Sequence, residues 1–239
     1  MNTNNNSYTL IYAIVMVIIV ALMLAFVSGA LKSRQDANVE LDKKKQILSS
    51  LNIDTKGQDA AKVYDRYIIG ALVLDINGNI RSESKDDAFA LDMTKEMQAD
   101  PNNRQLPVFI ANVDGQTKYI FSLQGAGLWG PIWGYISLND DKNTVYGTYY
   151  SHASETPGLG ANITSDEFQN QFIGKHILNG VGEFVSIAVL KAGKRAEGKD
   201  HVDALSGGTI TSQGVEKMLK NSIGQYEKFL HQPTNGGNK

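Results

Sequence analysis

Two short stretches carry residue types that could hold a ligand. From Asp203 to Val215 the chain reads DALSGGTITSQGV, which sets Ser206, Gly207, Gly208, Thr209, Thr211 and Ser212 ahead of a helical stripe. Paired glycines let the backbone bend tightly, the hydroxyls offer donors, and a helix N-terminus presents unpaired N–H groups with positive partial charge. Such a loop can hold a phosphate. The same spacing also describes an ordinary loop with a Ser/Thr helix cap. The second stretch is SHASETPGLGA, residues 151 to 161, where Pro157, Gly158 and Gly160 set a tight turn bearing Glu155 and Thr156. A turn of this kind presses backbone amides and a carboxylate against a flat ligand, or simply connects a strand to a helix.

Other chemistries find no support. GAGLWG, residues 125 to 130, spells G-x-G-x-x-G, but Pro131 and the strand-like WGYISL follow where a dinucleotide site needs a helix. It reads as a glycine-rich loop between strands, with Trp129 and Trp133 as core or interface residues rather than a stacking platform. The four histidines, at 152, 176, 201 and 231, share no metal-binding spacing, and no G-x-S-x-G elbow is present. With no cysteine the chain has no disulfide, thiol nucleophile or cysteine-ligated cluster, so redox chemistry must come from a cofactor. A net charge of -2 leaves no electrostatic footprint for nucleic acid.

The elements that must position these stretches begin with an anchor. After a short leader, residues 1 to 9, residues 10 to 31 are free of charge, and at 1.5 Å per residue a helix of that length reaches about 33 Å, enough to span a bilayer. A cleaved signal peptide is the competing reading, since Ser28 and Ala30 have small-x-small spacing. The leader lacks a basic residue and the apolar run is long for that role. Every charged residue of the 239 lies beyond Leu31, and Lys32, Arg34, Lys43, Lys44 and Lys45 follow the span while no basic residue precedes it. A positive-inside count alone therefore puts the following domain in the cytoplasm.

Residues 32 to 60 read as a juxtamembrane amphipathic helix and linker, and residues 61 to 231 as one domain. Hairpins are expected at Asn77-Gly78 and Asp114-Gly115, both with type I′ turn residues. Residues 84 to 105 suggest a short helix and loop, while WGYISL (133 to 138), TVYGTYYS (144 to 151) and EFVSIAVLKA (183 to 192) suggest strands. Thr164 to Glu167 match a capping box before Phe168 and Phe172. Val215, Met218, Leu219, Ser222, Ile223, Tyr226 and Leu230 form a helical stripe, and residues 232 to 239 read as a disordered tail. Hairpin strands with separated helices give an α+β class, an antiparallel sheet with flanking helices.

SGGTITS resembles the S-G-A-T-x-T-S flavinylation motif of bacterial membrane redox complexes, and ETPGLG resembles a second signature of the same flavoproteins. With GLWGPIWGYIS between them and the anchor in front, the chain resembles the covalent FMN-binding family formed by the C subunit of the sodium-translocating NADH:quinone reductase and the G subunit of the Rnf complex. The resemblance spans essentially the whole chain and departs from the motif at Gly208, where alanine is usual. It implies that a flavin transferase moves FMN from FAD onto Thr209, with Thr211 and Ser212 as fallback acceptors, and that Asp203 serves the transfer. It places Ser206, Gly207, Gly208 and Thr211 around the phosphate, and Glu155, Thr156, Leu159 and Gly160 along the flavin. FMN would take single electrons from an upstream iron centre and pass them towards a second FMN on the B subunit and then quinone. The implied partners are the A, B, D, E and F subunits, with the domain on the periplasmic side of the inner membrane, against the charge count. The Rnf flavin subunit and an anchored, non-redox binding module are the alternatives.

Overall fold

The computed structural model describes residues 6 to 233. The first five residues of the expected leader, and the expected tail from residue 234, lie outside the described residues. Helix α1 runs Asn6–Ser50 and contains an apolar stretch long enough to cross a membrane, exposed throughout. The residues up to Lys43 form one unit and those from Lys44 onward another.

In the second unit, helix α2 (Ala60–Tyr67) leads into strand β1 (Ile68–Leu74), followed by β2 (Ile80–Ser82), α3 (Lys85–Ala90), α4 (Met93–Gln98) and a 3-10 turn at Pro101–Asn103. Strands β3 (Leu106–Val113), β4 (Gln116–Ala126), β5 (Pro131–Leu138) and β6 (Val145–His152) then form an antiparallel meander. The sheet has six strands in the order β2-β1-β3-β4-β5-β6, antiparallel throughout. After it come helix α5 (Asp166–Asn170), strands β7 (Ala188–Leu190) and β8 (His201–Asp203), helix α6 (Thr209–Ile223), a 3-10 turn at Gly224–Tyr226 and helix α7 (Glu227–Leu230). The α+β class holds. β7 and β8 form a separate pair that is parallel.

Both faces of the large sheet are covered, which explains strands that are apolar at nearly every position. Leu106, Val108, Phe121, Leu123, Ile132 and Ile136 pack with Val215, Met218, Leu219 and Tyr226 of the α6 side. Their strand neighbours Phe109, Ala111, Ile120 and Tyr135 pack on the opposite face with Ile47, Leu48, Leu51, Val63 and Tyr64. The period of two along each strand sorts side chains to one cluster or the other. The polar segment between β2 and β3 is held by its own caps: Ser84, Asp92 and Asp100 each accept a backbone N–H at the start of α3, α4 and the 3-10 turn.

Several local expectations are corrected. Asp114 (φ 52°) and Gly115 (φ 81°) do make the two-residue turn, joining the paired Val113 and Gln116. At the first hairpin only Gly78 has positive φ, and its N–H donates to Asp75 O at 2.9 Å. That geometry is a type I turn closed by a left-handed glycine, not the I′ form. The expected strand over 183 to 192 shrinks to Ala188–Leu190, and the cap of α5 is Ser165, not Thr164. The helical stripe is buried at all its named positions, but α6 gives way to the 3-10 turn before α7.

Candidate functional site

α6 lies on the end of β4, where two glycines permit close approach. A Cβ on Gly125 would stand 2.6 Å from Met218 Cβ, and one on Gly214 would run into Ala126 O. Ser222 fixes the register, its Oγ accepting from Gln124 N at 3.1 Å and donating to Gln124 O at 3.3 Å. The helix thereby brings its first turn beside the 127 to 130 connection between β4 and β5 and beside the turn after β6. A cleft of about 400 Å³ opens there, lined by Leu128, Trp129, Glu155, Thr156, Leu159, Gly160, Gly207, Gly208, Thr209, Ile210 and Thr211.

Thr209 is the first residue of α6, not part of a loop. Gly208 is the N-cap and gives the helix no side-chain cap, so the first-turn N–H groups keep their capacity to bind an anion. Gly207 reaches this point with φ 73°, a left-handed conformation that glycine adopts without penalty. The three candidate acceptors differ sharply. Thr209 is exposed and its hydroxyl has no hydrogen-bond partner among the described residues. Thr211 is 1% exposed and donates to Glu155 Oε2 at 2.6 Å. Ser212 is fully buried and its Oγ accepts from Leu205 N at 3.0 Å. Ser206 is exposed but does not line the cleft, and Asp203 is exposed at the end of β8, its N–H donating to Gln171 Oε1.

The ETPGLG turn supplies the opposite wall. Leu159 N and Ala161 N both donate to Thr156 O at 3.1 Å, with Pro157 followed by Gly158 at φ 77°. Glu155 sits behind the wall with 4% exposure. Its Oε1 accepts from Trp129 N at 2.8 Å, and its own N–H donates to His152 Nδ1 at 3.2 Å. Burial pushes the Glu155 carboxyl up, but the Thr211 hydroxyl, the Trp129 and Leu128 amides and His152 outweigh it and hold the group below its ordinary value. It is therefore ionised at neutral pH.

Of the residues expected around the phosphate and along the flavin all but Ser206 meet in this cleft, while Asp203 and the fallback acceptor Ser212 do not line it. Leu128, Trp129 and Ile210 line it as well and were not expected there. GAGLWG is a loop only over residues 127 to 130, since Gly125 and Ala126 end β4 paired with Ile132 and Pro131, and Trp129, expected in a core or interface, is 65% exposed and belongs to no core. Trp133 is half-buried, its Nε1 donating to Gln46 Oε1 at 3.2 Å. A large apolar pair inside a glycine loop was the available signal for Leu128 and Trp129. For Ile210 it was a large side chain off the buried stripe of its helix. Leu128, Trp129, Leu159 and Ile210 give the cleft apolar walls, and among the described residues no Lys, Arg or His side chain lines it.

An uncapped helix start, a free hydroxyl and flat apolar walls suit a planar ring carrying a phosphate, and residues 127 to 224 match the sequence profile of the FMN-binding domain. The chain is 31% identical over 233 residues to the C subunit of the Na(+)-translocating NADH-quinone reductase of Vibrio alginolyticus, covering 90% of each. It is 30% identical to the same protein of Haemophilus ducreyi, covering 94% of each. The crystal structure of its counterpart from Parabacteroides distasonis superposes with a TM-score of 0.78 at 50% identity, over 84% of this chain and 98% of that one. The NqrC structure of Shewanella oneidensis, at 23% identity and a TM-score of 0.68, shares the fold. The chain belongs to the NqrC family, the C subunits of the Na(+)-translocating NADH-quinone reductase.

Proposed function

We propose that the cleft holds FMN joined by a phosphoester to Thr209, and that the chain is the flavin-carrying, membrane-anchored subunit of a sodium-translocating NADH:quinone reductase. The observation that carries the reading is Thr209 itself: of the three candidate acceptors it alone is exposed and, among the described residues, unpartnered, and unlike the exposed Ser206 it lines the cleft, on an uncapped helix start. The cleft's composition supports a covalent hold. With no cationic side chain among its lining residues, it has only helix amides and uncharged hydroxyls to offer a phosphate, which an ester bond makes sufficient. Thr156, Leu159 and Gly160 on one side and Leu128, Trp129 and Ile210 around the mouth would enclose the ring, excluding water from one face of it.

Attachment requires a flavin transferase and FAD. The Thr209 Oγ–phosphorus bond forms, the pyrophosphate bond of FAD breaks, AMP departs and the hydroxyl proton passes to the transferase. When bound, FMN supplies the one-electron redox chemistry that the side chains of this chain lack, on a route towards the B subunit and quinone. No general acid or base of this chain is needed for that step. The A, D, E and F subunits complete the complex. The apolar stretch of α1 would anchor the chain in the inner membrane with its domain in the periplasm.

The test is expression with a flavin transferase, a denaturing gel viewed under ultraviolet light, and mass mapping of the labelled peptide. A fluorescent band with flavin on Thr209 is expected. A dark band, with the transferase active on a control, overturns the reading in favour of a binding module without covalent flavin. For topology, a reporter active only in the cytoplasm, fused after Lys239, is expected to be silent, and activity there overturns the periplasmic assignment.

A further inference from the structure

Glu155 stands among the cleft residues, yet both its oxygens are taken by the protein. Oε2 accepts the Thr211 hydroxyl at 2.6 Å and Oε1 accepts Trp129 N at 2.8 Å. Those donors belong to two segments far apart in sequence, the first turn of α6 and the connection between β4 and β5. The neighbouring Ser154 adds a third contact, its Oγ donating to Trp129 O at 2.9 Å. Space for the carboxylate is kept by glycines on both sides. A Cβ on Gly127 would stand 2.5 Å from Oε1, and one on Gly160 would stand 2.5 Å from Oε2 and press on the Thr211 hydroxyl. A buried carboxylate whose two oxygens each accept from a different segment acts as a tie between them.

We propose that Glu155 is a positioning residue, whose carboxylate ties the turn of α6 that carries Thr209 to the loop that carries Trp129 and thereby sets the width of the cleft. Its consequence for flavin rests on the proposed attachment at Thr209, whereas the tie is a property of the chain without flavin. A hydrogen bond to an ionised group contributes more than one between neutral groups, and removing one partner leaves the other buried and unpaired. Glu155→Ala deletes the tie from its centre. Thr211→Val removes one arm at nearly constant volume, and Thr211→Ser keeps the hydroxyl.

The experiment uses the full chain in detergent, without flavin, in a Trp133→Phe background so that Trp129 alone reports. Acrylamide quenching of Trp129 is expected to change in Glu155→Ala and Thr211→Val and to return to the parent value in Thr211→Ser. Attachment to Thr209, followed as gel fluorescence with FAD and a transferase, is expected to slow about tenfold in the first two variants. It should proceed at the parent rate in Thr211→Ser. Unchanged quenching and unchanged attachment in Glu155→Ala and Thr211→Val overturn the proposal. So does a Thr211→Ser variant that behaves like Thr211→Val, since the lost group would then be the methyl and not the hydroxyl. If the parent chain takes no flavin at all, the flavin reading fails while the quenching series still decides the tie.

Discussion

Helices α5 and α6 both start on segments rich in hydroxyls and small residues, and they close in opposite ways. At α5, Ser165 adopts extended backbone and its Oγ accepts from Phe168 N at 3.3 Å. At α6 the cap position is Gly208, and the nearby hydroxyls turn elsewhere, Thr211 to Glu155 and Ser212 to Leu205 N. The first helix start has spent its polar groups on itself. The second leaves the Thr209 hydroxyl without a partner among the described residues and its first-turn amides without a side-chain cap. A Ser/Thr cluster before a helix therefore marks a site only when its side chains fail to cap, and that depends on what else in the fold claims them.

The contrast is broken most completely at Thr209. Thr209→Val is expected to leave the domain folded and without any covalent flavin on a denaturing gel, because the proposed attachment atom is gone. Thr211→Val is expected to label more slowly but to completion. Flavin lost from Thr211→Val and kept in Thr209→Val would reverse the assignment of the two threonines.

Next in size is Gly160→Ala. The added methyl meets Glu155 and the Thr211 hydroxyl at once, and overpacking of this kind costs about 1–3 kcal/mol. A lowered melting temperature of the flavin-free chain is expected, with weaker labelling. Gly158→Ala, at φ 77° with open space around it, would be strained by its backbone alone and should leave the Glu155 contacts unaltered.

The tie also gives the cleft a pH dependence. Glu155 is held below its ordinary value in the folded chain, so its contribution to stability is present above the unfolded carboxylate range and is lost as the pH falls through its lowered native value. Thermal melts of the flavin-free chain from neutral to acid pH should therefore fall less steeply in Glu155→Gln than in the parent. Identical slopes would show that the carboxylate is not stabilised by the fold.

Much of this arrangement was legible in the residues. The stripe from Val215 to Leu230 marked the C-terminal helix because burial follows the helical period, and Asp114-Gly115 marked its hairpin because both residues tolerate positive φ. The meeting of the two motifs was not legible from spacing, since it depends on Gly125 and Gly214 admitting α6 to the end of β4. Nor was the role of Trp129. In a sequence it is one more large apolar residue, and only the fold leaves it outside every core while drawing its amide to Glu155. The short β7 was overestimated for the opposite reason: its apolar run extends back to Phe184, but β8 offers only His201–Asp203, and the residues before β7 pair with Ile177 and Leu178 instead.

The closed helix start gives a reference for a smaller effect at the open one. Ser165→Ala removes a cap and should cost about 1 kcal/mol by thermal denaturation, with no change in labelling at Thr209. Gly208→Ala should cost less than that. Its backbone, φ -110° and ψ 33°, is open to alanine without strain, and the new Cβ would meet Leu205 Cβ at 3.1 Å and Gly160 N at 3.3 Å. Those contacts are tight by a few tenths of an ångström, and a small shift of the ETPGLG turn relieves them. An alanine also brings no oxygen that could cap α6, so the first-turn amides and the Thr209 hydroxyl stay free. Labelling at the parent rate is the expected result, in keeping with the alanine usual in the flavinylation motif that SGGTITS resembles. If labelling fails in Gly208→Ala while the fold survives, the width of the cleft at Gly160 matters more to attachment than the open start of α6.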